Sequence, residues 1–322
     1  MTASGPVAVT GSTGRLGRAL VAALVARGIA TVAWSRPDYD LDDPAAAERL
    51  VARDRPARVI HAAAWTDVDG CARDPALAAR RNGEAVAELA AACVRAGAAL
   101  TLISTNEVFD GARADGRGYD EDDEPRPANP YGASKLAGER AALAAFAGES
   151  PAGANAAPAA ADAPADAGPG LTIVRTAWLY GPPGNDFPTK VLAAAARLPA
   201  GAPLKMVADE VGSPTHAVDL AQAIVGLVTR VRAGTYHLVN AGTASRLEAA
   251  QVVLARCRTD IAVQPIRAAE FVRASTPPAW AVLDAGKAAR LGVVLRPWDG
   301  ALREYAASLC SEPETPAAAY RP

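Results

Sequence analysis

Val7-Ala8-Val9-Thr10 runs straight into Gly11-Ser12-Thr13-Gly14-Arg15-Leu16-Gly17, and the fold depends on how that stretch is read. The four leading residues are short, mostly apolar and β-prone. Arg18 to Arg27 then carries Leu20 and Leu24 at helical spacing and stops at Gly28. Strand, glycine turn and helix in immediate succession make a phosphate cradle. Gly11 permits the tight turn, Gly14 lets the backbone approach a pyrophosphate, and Gly17 lets the helix pack close to the strand. Free N–H groups and the positive end of the helix dipole then favour an anion. The competing reading is a glycine-rich turn with no ligand; the strand–turn–helix context favours the dinucleotide.

Outward from that stretch the alternation continues. Ala30 to Trp34 reads as a second strand ending in Ser35-Arg36-Pro37, Pro44 to Arg53 as a helix, and Ala57 to Ala62 as a third strand. Asp74 to Ala96 is expected to form one long helix closed by Gly97, followed by a strand at Leu100 to Thr105. Asn129-Pro130 opens a helix from about Tyr131 to Ala147, with proline suited to the helix start. Such βαβ alternation predicts an α/β fold: a Rossmann-like, doubly wound parallel sheet with a smaller C-terminal substrate lobe.

Residues 1–175 are expected to form the NAD(P)-binding domain and 176–310 mainly the lobe. Residues 148–170 are Ala, Pro, Gly and Asp with almost no large apolar side chain, which reads as a mobile surface insertion. A Pro-rich linker is the rival reading; the strand-like Leu171 to Arg175 that follows favours the insertion. Helices are expected at Phe187 to Arg197, Asp219 to Arg230 and Leu247 to Arg258, and a strand at 234–239 that rejoins the sheet. Residues 311–322 read as a flexible tail.

Composition excludes several classes. A formal charge of −2 gives no basic footprint for nucleic acid. Cys71, Cys93, Cys257 and Cys310 are far apart with no Cys-x-x-Cys pair, which suggests neither a zinc site nor a disulfide framework and suits a reducing cytoplasm. Asp209 and Glu210 read as a surface pair, so no metal is expected. Met1 to Pro6 lack a charged segment followed by an apolar core, so no signal peptide is expected, and no apolar run is long enough to span a membrane. A cytoplasmic protein follows, and the sequence leaves a homodimer open.

Tyr131-Gly132-Ala133-Ser134-Lys135 carries the chemistry. Protonating the alkoxide that forms when a ketone accepts hydride requires an acid, and free tyrosine, with a pKa near 10, is a poor one. A lysine one helical turn away lies on the same face, stabilises phenolate, and can also hold the nicotinamide ribose. Ser104 and Thr105 close a strand at the sheet's carboxyl edge, where a hydroxyl could bond the carbonyl oxygen. The second strand ends without an acid before Asp38, so Ser35 and Arg36, with Arg15 assisting, are expected to hold a 2′-phosphate. NADPH is the expected coenzyme, with NADH left open.

Gly11 to Gly17, His61-Ala62-Ala63-Ala64-Trp65-Thr66-Asp67-Val68-Asp69, Ile103-Ser104-Thr105-Asn106-Glu107-Val108-Phe109-Asp110-Gly111 and Asn129 to Glu139 together resemble the extended short-chain dehydrogenases, and more narrowly the dTDP-4-dehydrorhamnose reductases. Arg175 to Gly181 and Val211-Gly212-Ser213-Pro214-Thr215 extend the likeness, which covers most of residues 5–300. The resemblance implies NAD(P)H-dependent reduction of the 4-keto group of a nucleotide-linked 6-deoxysugar. It implies Tyr131 as proton donor, Lys135 as its tuner and ribose ligand, and Thr105 as the carbonyl's partner. Gly14, Arg15 and Leu16 map to the pyrophosphate loop and Asp40-Leu41 to the adenine pocket. Ala63, Ala64 and Trp65 line the coenzyme, and Thr13, Ala62 and Thr66 complete that set. Trp178 matches an aromatic beside the sugar, with Thr105, Asn106 and Glu107 also facing it.

Two departures stand out. Asn106-Glu107 replace the family's usual Asp-Tyr, exchanging a charge for a donor and an aromatic for a carboxylate. Residues 273–284 follow the family pattern only loosely. An epimerase or dehydratase of the same superfamily, faintly echoed in Asn106-Glu107, is a second reading. A non-catalytic subunit, like the regulatory β subunit of methionine adenosyltransferase, is a third; retention of Thr105, Tyr131 and Lys135 argues against it.

Overall fold

The structure, a computed structural model, describes residues 5–148, 170–230 and 233–311. Its first part runs β1 (Val7–Thr10), α1 (Arg15–Ala26), β2 (Thr31–Trp34), α2 (Ala46–Asp54), β3 (Arg58–His61), α3 (Val68–Arg73), α4 (Pro75–Ala79), α5 (Ala85–Ala96), β4 (Ala99–Thr105), α6 (Pro130–Ala147) and β5 (Leu171–Thr176). Then come β6 (Leu179–Tyr180), α7 (Phe187–Ala195), β7 (Leu204–Val207), β8 (Val211–Gly212), β9 (Thr215–His216) and α8 (Ala217–Val228). The last part holds β10 (Gly234–His237), β11 (Asn240–Ala241), β12 (Ala244–Ser245), α9 (Arg246–Cys257), β13 (Val263–Ile266), α10 (Gly286–Arg290), β14 (Leu295–Pro297) and α11 (Trp298–Ser311).

Six parallel strands form the central sheet in the order β10-β5-β4-β3-β1-β2. Neighbouring strand residues point to opposite faces, and both faces are apolar. Ala8, Val59, Leu102 and Ile173 meet Leu50 of α2, Leu89 of α5 and Ala142 of α6. Val9, Ile60, Ile103 and Val174 meet Leu20 of α1 and Ile224 of α8 on the other side. The sheet is therefore doubly wound, as expected. Its winding reverses between β1 and β3, which opens a crevice at their carboxyl ends.

The strand expected at 234–239 does rejoin the sheet, pairing with β5, but ends at His237. The single helix expected over 74–96 is interrupted by a π turn at Arg80–Glu84, where the Ala85 N–H reaches back to the Arg80 carbonyl. One extra residue in the turn brings Asn82 into the interior. The expectation of four unconnected cysteines is corrected at one pair. Cys257 at the end of α9 is bonded to Cys310 in α11, with Cα atoms 5.7 Å apart across a separation of 53 residues. Those helices pack side by side through Val253, Leu254, Leu302 and Tyr305, a contact that sequence spacing does not reveal. Cys71 and Cys93 are free and buried.

Apart from its two ends, the expected insertion at 148–170 lies outside the described residues, and so does the expected tail from residue 312 onward. Among the described residues no helix is long and apolar enough to cross a membrane.

Candidate active site

The glycine turn builds its cradle from backbone alone. Gly11 adopts φ +61°, and a Cβ on Gly17 would lie 2.1 Å from the Gly11 carbonyl oxygen, so α1 can start this close to β1 only without a side chain there. Gly14 is the N-cap of α1; no side chain caps it and no acid stands in the first turn. Those amides are left for an anion, which is what a pyrophosphate-binding site requires.

A cleft of about 300 Å³ opens over this turn. Gly11, Thr13 and Gly14 form one wall, and Ser35, Arg36, Tyr39, Asp40 and Leu41 follow from the end of β2. Ala62, Ala63, Ala64 and Trp65 come from the end of β3, and Arg81 from the π turn. The cleft thus has a backbone anion cradle at its floor, two guanidiniums at its edge and an aromatic ring beside it. These features fit a dinucleotide.

Polar contacts hold the loops in place. Thr10 Oγ1 bonds His61 Nδ1 at 2.9 Å and accepts the Ala63 N–H at 3.1 Å. Burial, with repulsion from Lys135 added, drives His61 down to about 3, so it is neutral at working pH. Asn82 clamps Trp65, accepting its N–H at 2.9 Å and donating to its carbonyl at 3.0 Å. The same amide donates to Ser134 Oγ at 3.0 Å, and Ser134 donates to the Tyr131 carbonyl at 2.8 Å. A continuous chain of hydrogen bonds therefore ties the cleft to the start of α6.

Asn129 caps α6 by accepting the Gly132 N–H, 2.8 Å away. A Cβ on Gly132 would sit 1.9 Å from the Glu107 carbonyl oxygen, so only glycine lets this helix start pack against the end of β4. That approach sets Tyr131 beside Thr105, whose hydroxyl accepts the Glu107 N–H at 3.2 Å and favours the ionised phenol. Tyr131 is buried against Cys71, Ala78 and Trp65. Lys135 is buried as well, and its Nζ donates to the Ile103 carbonyl at 2.7 Å. Burial brings Lys135 down to about 8, with Glu139 opposing the fall. Tyr131 departs from expectation: burial and the Glu107 carboxylate push its hydroxyl above the ordinary tyrosine range, and only the Thr105 hydroxyl counters them. Lys135 serves the Ile103 carbonyl here instead of lowering the tyrosine.

Glu107 accepts from Asn129 Nδ2 at 2.7 Å, and burial raises its carboxyl above the usual range while Arg246 and Arg273 pull the other way. The Arg246 guanidinium lies 3.5 Å from the Trp178 ring centroid and 3.7 Å from Glu210. Trp178 itself has a strained φ of +43°. Arg273 reaches Asp69 at 3.3 Å. Beyond the tyrosine, then, is a second region of mixed charge and one aromatic face.

The side chains of four expected residues do not line the cleft. The Arg15 guanidinium donates to the carbonyls of Gly181 (3.1 Å), Gly184 (2.8 Å) and Asn185 (3.1 Å), so it is committed to that loop and does not assist Arg36. Leu16, in the first turn of α1, buries its side chain in the core, and Thr66 is exposed. Asn106 is buried, donating to the Ala281 carbonyl at 3.2 Å and accepting from Thr105 at 3.2 Å. The sequence reading missed Tyr39, Arg81, Asn82, Arg246 and Arg273. Only Arg246 had a legible signal: the Ser245–Glu248 capping box fixes the start of α9 and places Arg246 at its first turn.

Comparison with known proteins agrees with this architecture. The dTDP-4-dehydrorhamnose reductase of Mycobacterium tuberculosis (strain CDC 1551 / Oshkosh) is 37% identical over 301 residues, covering 91% of this chain and 90% of that protein. Among solved structures, a dTDP-4-dehydrorhamnose reductase from Clostridium acetobutylicum aligns with a TM-score of 0.82 at 30% identity, over 94% of this chain and 99% of the other. The dTDP-4-dehydrorhamnose reductase of Bacillus anthracis, solved in complex with NADP, aligns with a TM-score of 0.80 at 30% identity, over 94% and 98%. The model of the RmlD substrate binding domain matches residues 6–150 and 159–311. With sequence, fold and site in agreement, the chain belongs to the RmlD substrate binding domain family.

Proposed function

We propose that the protein reduces the 4-keto group of a nucleotide-linked 4-keto-6-deoxysugar with a reduced nicotinamide coenzyme. The observation that carries this reading is the meeting of Tyr131, Thr105 and Lys135 at the carboxyl edge of the sheet, beside a cleft with an uncapped helix start at its floor. NADPH bound there would supply the hydride. Gly11, Gly14 and the first amides of α1 would hold its pyrophosphate, and Ser35 and Arg36, with Arg81 nearby, its 2′-phosphate.

Tyr131 carries its proton at neutral pH, because burial holds the hydroxyl above its ordinary range. It is therefore a stored proton for the oxygen of a bound ketone, and Thr105 orients that oxygen through a hydrogen bond. As the phenol gives up its proton, the Lys135 ammonium offsets the charge left on it. Arg246 and Arg273 face the region beyond, suited to the diphosphate of a sugar nucleotide, with Trp178 as a wall for the sugar. The division of labour follows: residues 1–175, with the strand at 234–237, take the coenzyme, and most of 176–310 takes the sugar nucleotide.

Glu107, a carboxylate beside Tyr131, supports an epimerase or dehydratase as the second reading. A panel of nucleotide 4-keto-6-deoxysugars, incubated with NADPH or NADH while the reduced coenzyme's absorbance is followed, separates the two. Reduction consumes one coenzyme per product. Turnover without net consumption would replace this reading with the second.

A further inference from the structure

Tyr131, Lys135 and Glu139 stand at i, i+4 and i+8 of α6, on one helical face. The first two enter the reading above; Glu139, 1% exposed, has no part in it. Its carboxylate is gripped by Arg175 of β5, with Nε donating to one oxygen at 3.0 Å and Nη2 to the other at 2.7 Å. Removing both charges from water costs more than a surface pair would, and a buried ion pair is often replaceable by apolar packing. Stability alone is a weak reason to place one here.

The surroundings of Lys135 give a better reason. Its own helix presents Glu139 and Tyr131. From β4 only the Ile103 carbonyl accepts its proton among the described residues, from β3 comes neutral His61, and from β5 comes Arg175 behind Glu139. Cys71 of α3 and the carboxylate of Glu107 face Tyr131, one turn away. Among these groups Glu139 is the acid that shares the ammonium's helical face, one turn on, and its charge opposes the effect of burial on Lys135. Arg175, its guanidinium 5.2 Å from the Phe109 ring centroid, holds that carboxylate through both of its oxygens.

We propose that the Glu139–Arg175 pair is a positioning element of the catalytic helix, holding Lys135 as a charged ammonium one turn below Tyr131. The inference rests on the reading of Tyr131 and Lys135 as the proton-donating pair. Without the carboxylate, burial would act on Lys135 unopposed and lower it further.

The test uses the full chain without coenzyme. It has four lysines, Lys135, Lys190, Lys205 and Lys287, so ¹³Cε-lysine labelling gives four NMR titration curves, with Lys135→Met assigning the one of interest. Wild type should show Lys135 titrating at about 8. Glu139→Gln alone strands a buried guanidinium, so the decisive variant is Glu139→Gln/Arg175→Met, which removes both charges and keeps the bulk. Its Lys135 should titrate measurably lower, by less than a lone carboxylate would cause, because the Arg175 charge that partly offsets Glu139 leaves with it. An unchanged value would overturn the proposal. Glu139→Asp keeps the charge and should leave Lys135 near its wild-type value; a fall as large as in the double variant would mean that packing, not charge, sets it, and would also overturn the proposal. In turnover, the alkaline limb of kcat should move by the same interval. A wild-type chain inactive on every 4-keto sugar would refute the reductase reading instead, and leave the NMR result standing.

Discussion

The coenzyme side and the sugar side of the site are built in different ways. The first rests chiefly on backbone: a glycine turn with an uncapped helix start, and the loop after β3 clamped by Thr10 and Asn82. The second consists of side chains brought from distant points: Arg246 over the Trp178 ring and beside Glu210, Arg273 on Asp69, and Glu107 within reach of both arginines' charge. Backbone amides recognise what every dinucleotide shares. Charged side chains can be exchanged one at a time, and so can distinguish one sugar nucleotide from another. The two sides should therefore fail separately under mutation.

The largest separation should come from Gly17→Val. Its side chain would collide with the Gly11 carbonyl, which a Cβ alone approaches to 2.1 Å. NADPH affinity, measured by titration calorimetry, should fall by roughly 1,000-fold, about 4 kcal/mol. Retained affinity would mean that the turn does not hold the coenzyme. Next, Arg246→Ala should raise KM for the sugar nucleotide by roughly 30-fold, about 2 kcal/mol, while the NADPH Kd stays within a few-fold. Equal loss of both affinities would break the comparison. Arg36→Ala should be milder, reducing the preference for NADPH over NADH by roughly tenfold, about 1.4 kcal/mol, with no change in the KM for sugar.

A pH effect should touch both sides alike. His61 lies under the coenzyme cleft and His237 near the lobe, and burial lowers each to about 3. Their folded pKa values lie below the unfolded value, so between about pH 6.5 and 3 the unfolded chain binds more protons. Stability is therefore lost as pH falls through that window, by about 1.4 kcal/mol per pH unit for each group. Tm measured from pH 7 to pH 5 should drop, and His237→Gln should flatten the slope. An unchanged slope would mean that His237 charges without unfolding the chain.

The same contrast explains what could be read from the sequence. Gly11 to Gly17, Tyr131 and Lys135 were legible because each relation spans only a few residues and follows helix or turn geometry. The six-stranded sheet was legible because both of its faces bury apolar residues in alternation. The π turn at Arg80–Glu84 was not, since apolar residues continue on either side at helical spacing and one inserted residue leaves no compositional mark. Nor was the Cys257–Cys310 bond, the turning away of Arg15, or the meeting of Asp69 with Arg273, 204 residues apart. Such pairings depend on how the lobe folds back over the sheet, which no local pattern encodes. The role read for Lys135 was legible only in part: the shared helical face is there, but the ammonium is held by the Ile103 carbonyl.

Single-turnover reduction by Tyr131→Phe, followed beside its NADPH affinity, tests the central claim most directly. The substitution removes one hydroxyl and keeps the ring against Trp65 and Cys71. Hydride transfer should slow by roughly 1,000-fold, with coenzyme binding within a few-fold of wild type. Full turnover by that variant would show that the proton comes from another group.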